Sequence, residues 1–217
     1  MSFELNAAFS LSIGIGAIAG CIRFRKIDTA FLPFLLWLWV GFINEVSSIA
    51  LMKAGYPNII NYNVFSLFEA IVLTRQFKNW GLFRKQSYSY TVIQIFFAAS
   101  WCFETVLRNN MSEVNSYFII CYSACLVLMS INMLNKIMFE EPSTLIRNPI
   151  FLICMGLIIY FTYAILVEAF LLYGLNESTQ FRISIYEILA YINLFTNLVF
   201  AIATLWIPLK RQYILQY

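Results

Sequence analysis

Histidine is absent and charge is scarce: of the 217 residues, none is His and only 12% are Asp, Glu, Lys or Arg. A soluble domain carries roughly 25% charged residues, so this chain lacks the polar side chains to cover its own surface in water. Without histidine there is no Ser-His-Asp or Cys-His pair, and the commonest metal ligand and general base are missing. The five cysteines (Cys21, Cys102, Cys121, Cys125 and Cys154) all fall in apolar runs, which fits packing side chains rather than a disulfide framework or a zinc site. A formal charge of +3 is too small to mark a nucleic-acid partner. No interval between the apolar runs is long enough for a separate soluble module. Residues 1–217 therefore read as a single transmembrane helical domain, with no cofactor or metal expected and membrane lipid as its surroundings.

What the chain does have is hydrophobic length, 61% of its residues. Reading apolar runs between charged or turn-forming clusters predicts an all-α, polytopic bundle of seven transmembrane helices over 5–22, 30–52, 59–77, 88–107, 114–135, 149–173 and 184–207. The runs are continuous and lack the alternation of outer-membrane strands, which argues against a barrel. Pro33 and Pro149 lie at predicted helix starts, where a missing N–H costs little. Gly14, Gly16 and Gly20 predict a close helix-packing face. Ile18-Ala-Gly-Cys21 imitates a lipoprotein cleavage box, but no basic residue precedes it and Arg23, Arg25 and Lys26 follow. An uncleaved first helix is expected.

The basic residues orient the bundle. Arg23, Arg25, Lys26, Arg75, Lys78, Arg84, Lys85, Lys136, Arg147, Lys210 and Arg211 follow the odd-numbered spans, which leaves only Lys53, Arg108 and Arg182 of the 14 for the other side. The positive-inside rule then places the N-terminus outside and the C-terminus in the cytoplasm of a cell membrane, that of a bacterial inner membrane. Asn63-Val-Phe-Ser66 in the third span recurs as Asn193-Leu-Phe-Thr196 in the seventh. Lys-Ile also precedes both the second and the sixth span (Lys26-Ile27, Lys136-Ile137). These echoes suggest a 3+1+3 parallel repeat with the fourth helix as linker. Asn110-Met-Ser112 and Asn176-Glu-Ser178 match a glycosylation sequon on predicted outer loops.

Carboxylates at membrane depth are costly and default to functional candidates. Glu69 and Glu168 have no basic residue near them on their own helices. Glu45, Asn63 and Asn193 add polar groups on the second, third and seventh spans, so these five are the candidate substrate- or ion-binding residues. Glu104 lies one turn before Arg108 and reads as a structural ion pair. Glu187, near Arg182 in the first turn of its helix, suits the helix dipole. Most of these carboxylates fall in the predicted outer half, which predicts an acidic cavity that opens outward.

Asn63-Val-Phe-Ser-Leu-Phe-Glu69, Asn148-Pro-Ile-Phe-Leu-Ile-Cys-Met-Gly-Leu-Ile-Ile-Tyr-Phe161 and Asn193-Leu-Phe-Thr-Asn197 together resemble a family of small uncharacterised bacterial seven-helix integral membrane proteins. The resemblance implies the fold, and Glu69 as part of the family pattern, and no activity. The residues themselves lead to the expectation of a small-solute transporter, cationic or proton-coupled. The alternative is a seven-helix receptor or sensor subunit that binds a small ligand and signals through a separate cytoplasmic partner. A rhodopsin is excluded because the seventh span has no lysine. An enzyme is not expected, since no spacing supports paired-carboxylate chemistry.

Overall fold

The computed structural model describes residues 3–109, 113–140, 145, 147–173 and 179–209. Each of the seven predicted apolar runs lies on helix. The first is divided at Ser12 into α1 (Phe3–Leu11) and α2 (Ile13–Arg23). At the break Ser12 N–H bonds the Phe9 carbonyl and Ile15 N–H bonds the Ser12 carbonyl, three residues back instead of four. The Ser12 hydroxyl takes the Phe9 carbonyl as well, at 2.5 Å, a competing side-chain bond of the kind that disturbs a helix.

Then come α3 (Leu32–Lys53), α4 (Ile59–Asn79), α5 (Ser87–Cys102) running into a π-helical turn over Phe103–Asn109, α6 (Ser116–Glu140), α7 (Pro149–Leu172) and α8 (Thr179–Trp206). Local chemistry sets several of these limits. Asn148 Oδ1 accepts from Ile150 N–H at 2.9 Å and so caps α7 just ahead of Pro149. Gly55 and Gly81, both at φ +80°, end α3 and α4. Tyr56 N–H reaches the Leu51 carbonyl and Leu82 N–H the Phe77 carbonyl, as in the Schellman motif.

Five helical segments are long and apolar enough to cross a membrane: Phe3–Arg23, Thr29–Lys53, Ser116–Phe139, Pro149–Leu172 and Ser184–Trp206. This points to a membrane location. The segments that fall short are α4 and α5. α4 carries Asn63, Ser66, Glu69, Thr74 and Gln76, all of which turn inward and are buried, while Ile60, Val64 and Ile71 face outward. Its amphipathicity is inverted relative to a helix on the surface of a water-soluble protein.

The helices contact one another in the order α2, α3, α4, α6, α7, α8 and back to α2, a closed ring with α5 packed outside against α4 and α6. Small residues let α2 sit between its neighbours. A Cβ on Gly14 would meet the Phe42 ring at 2.8 Å, one on Gly20 would meet Leu35 at 2.9 Å, and Gly16 lies against the Ala201 backbone. The glycine run is thus a packing face, as expected. On α7, Gly156 makes way for Phe200, whose ring would stand 2.5 Å from an added Cβ.

At the end of the bundle where α2 and α8 finish, Arg23 donates to the carbonyls of Thr204, Leu205 and Ile207. Ile27 pairs with Leu209 in an isolated bridge, and Asp28 N–H bonds the Pro208 carbonyl. The first and last helices are joined there. Gln76 does the same for α3 and α4, accepting from Phe34 N–H at 2.8 Å and donating to the Ala30 carbonyl at 2.7 Å.

Candidate functional site

Glu69 lies ten residues into α4, about 15 Å along the helix at 1.5 Å per residue. Its side chain is 5% exposed and is held from two sides. Trp37 Nε1–H of α3 donates to Oε1 at 2.9 Å, and the Tyr122 hydroxyl of α6 donates to Oε2 at 2.7 Å. Both partners are neutral, so the carboxylate is positioned without an opposing charge from them. Aromatic contacts stiffen the clamp: Tyr122 packs on Phe118 and Phe161, and Trp37 meets Phe200 edge-on with centroids 5.2 Å apart.

Beside Glu69 is a cavity of about 30 Å³, whose polar lining comes from Ser10, Glu45, Glu69, Tyr160, Asn193, Thr196 and Asn197. Trp37, Phe65, Phe200, Ile13 and Gly41 supply its apolar walls. Glu45 is half-buried, sits next to Ser10, and interacts electrostatically with Glu69. Asn197 Nδ2 donates to Ser12 Oγ at 2.9 Å and to Asn193 Oδ1 at 3.2 Å, which ties α8 to the break in the first span. A space of this volume accepts about two or three water-sized species, since a water needs roughly 10–15 Å³ by this measure. An organic solute does not fit in this conformation.

Three of the five candidate residues, Glu45, Glu69 and Asn193, therefore meet at one cavity. Asn63 and Glu168 do not line it. Asn63 fastens the segment before α6: Asn63 Nδ2 donates to the Glu113 carbonyl at 2.8 Å, and Asn115 N–H donates to its Oδ1 at 3.1 Å. Glu168, 5% exposed, accepts from Ser116 Oγ at 2.6 Å and lies beside Tyr62. Reach is the reason for the separation. Glu168 is close to the end of α7, more than two turns beyond Tyr160, the α7 residue at the cavity. The two echoed motifs also differ in their contacts, since Asn63 holds a connecting segment while Asn193 borders the cavity.

Glu104 and Glu168 belong to a second polar cluster around the start of α6. Glu104 is 4% exposed and accepts from the backbone N–H groups of Tyr117, at 3.2 Å, and Phe118, at 2.6 Å. It supplies the first turn of α6 with an acceptor from another helix. The Arg108 side chain of the expected ion pair lies outside the described residues, as do the Arg182 side chain, Lys210, Arg211 and the sequon positions Asn110 and Asn176.

Sequence reading did not single out Trp37, Tyr122 or Ser10, and Asn197 entered only as the end of the Asn193-Leu-Phe-Thr-Asn197 motif. Asn193 and Asn197 are four apart and share a helix face, a signal that was available. Nothing in the spacing of Trp37 or Tyr122 marks them as partners of Glu69. Family models, curated proteins and solved structures all return no match to this chain, so the resemblance to small seven-helix membrane proteins rests on its sequence motifs alone.

Proposed function

We propose that the chain is a seven-span cell-membrane protein, N-terminus outside and C-terminus cytoplasmic, that moves a small cationic solute, or protons coupled to one, through the Glu45–Glu69 cavity. One observation carries the reading: two carboxylates from different helices line one small cavity, next to the tightened turn at Ser12, within an apolar bundle. Ionisable side chains at such depth are expensive and mark ion or proton paths. The inward polar face of α4 supports counting it as a span even though its mean hydropathy is modest. The ring order, with α5 outside, suits a 3+1+3 arrangement. The cavity's size favours a water-sized ion or proton as the species bound, with any larger solute entering through another conformation.

Cation-dependent flux into proteoliposomes is the test. Glu69→Gln and Glu45→Gln, each nearly isosteric, are expected to lower flux at least tenfold while the protein stays monodisperse. Unchanged flux in both would sink the reading. Fusing green fluorescent protein to the C-terminus checks the orientation, and a fusion left dark in bacterial cells would reverse it.

A further inference from the structure

A cavity with space for about two or three water-sized species, walled by polar and apolar side chains together, takes an occupant no larger than a small ion. Several of the side chains that line it can offer oxygen. Ser10 contributes a hydroxyl from α1, Glu45 and Glu69 contribute carboxylates from α3 and α4, and Asn197 contributes an amide from α8. Oxygen-only sets suit hard cations, and there is no thiol or imidazole in the lining to favour a softer metal.

Asn197 is the separate indicator. It is 3% exposed and both of its hydrogen bonds leave from Nδ2. Its Oδ1 accepts no hydrogen bond from any described residue. The Ser12 and Asn193 bonds fix which end of the amide is the nitrogen, and they leave the oxygen for the cavity that Asn197 lines. Each Glu69 oxygen takes one donor, and an ionised carboxylate has about four acceptor positions in all. Lone pairs thus remain on the clamped carboxylate as well. The tightened turn at Ser12 lies next to these groups, and Ser10 and Ile13 on either side of it line the cavity.

We propose that the cavity binds a single dehydrated Na⁺, coordinated by Glu45, Glu69, Asn197 Oδ1 and Ser10 Oγ. This rests on the transport reading only for its purpose, since binding is measurable without flux. Mg²⁺ dehydrates reluctantly and usually keeps several waters, so it suits a dehydrated site less well than Na⁺. Ca²⁺ takes six to eight oxygens, and Thr196 Oγ1 is already directed at the Ile192 and Asn193 carbonyls of its own helix.

The site carries its own reporter, because Trp37 donates to Glu69. The full chain in detergent is titrated with NaCl against choline chloride at constant ionic strength, reading tryptophan fluorescence and the thermal midpoint. A saturable response to Na⁺ is expected. Glu45→Gln and Asn197→Ala should weaken it at least tenfold, Asn197→Asp, which keeps the oxygen, should retain it, and Lys53→Gln, outside the cavity, should not alter it. If Asn197→Ala does not fold, Asn197→Asp and Glu45→Gln carry the comparison. Folded wild-type protein with no saturable response to Na⁺ would overturn the site. So would a response unchanged by Glu45→Gln, or one elicited by Ca²⁺ and not by Na⁺. Flux with no saturable Na⁺ response in the titration overturns the site and leaves the transport reading in place, whereas Na⁺ binding without any flux removes transport and leaves the site.

Discussion

Replacing Glu104 with alanine separates two accounts of that residue. As an ion-pair partner of Arg108 at the membrane surface, it would contribute little, because exposed pairs are worth about 0–1 kcal/mol. As the acceptor for the first turn of α6, it has a larger effect. Its loss leaves the N–H groups of Tyr117 and Phe118 without their carboxylate, and Phe118 is only 1% exposed. A buried donor left unsatisfied costs about 1–3 kcal/mol, and losing a helix cap typically costs about 1 kcal/mol. The two donors share one carboxylate and Tyr117 is partly accessible, so the loss should come to about 3 kcal/mol rather than the sum of the maxima. Glu104→Gln keeps a carbonyl oxygen and should cost about 1 kcal/mol, the charge-assisted part of the bond. Reversible unfolding in mixed detergent micelles, followed by helical circular dichroism, measures both. An alanine variant within about 0.5 kcal/mol of wild type refutes the capping account. An Arg108→Ala variant that costs as much as Glu104→Ala would restore the ion pair.

Gly156→Ala should cost about 1–3 kcal/mol through overpacking. The new Cβ would stand 2.5 Å from the Phe200 ring, which is boxed in by Phe34 and Trp37. Because Phe200 and Trp37 wall the cavity, tryptophan emission should change along with stability; a silent substitution would show that the ring moves freely. Arg23→Gln should loosen the end of α8 by about 1 kcal/mol, the usual worth of a cation at a helix C-terminus. Hydrogen exchange at residues 204–207 reads this, and protection equal to wild type would remove Arg23 as the cap.

The apolar runs and their limits were legible in the amino-acid order because lipid sets a length requirement that any chain must meet locally. Helices in hydrocarbon satisfy their own backbone, so a run of about 20 apolar residues declares itself without reference to its neighbours. Gly16 and Gly20 were readable for the same reason, since small residues four apart mark a face whatever packs on it. The carboxylates were visible as exceptions to the apolar background, and three of the five candidates do converge.

Which carboxylate faces which neighbour depends on rotation about each helix axis and on the order of helices around the ring. Both are set by packing between segments far apart in the chain. Glu69 and Tyr122 are 53 residues apart, Asn197 and Ser12 are 185 apart, and no local pattern couples either pair. The same holds for Glu168. On α7 alone it looks like Glu69 on α4, yet its depth places it with Ser116 rather than at the cavity. Composition and periodicity therefore determined that this is a helical bundle with a few buried acids. Tertiary packing alone decided that Glu45, Glu69, Asn193 and Asn197 share one small cavity at the break in the first helix, because a burial cost can be read residue by residue and a partner cannot.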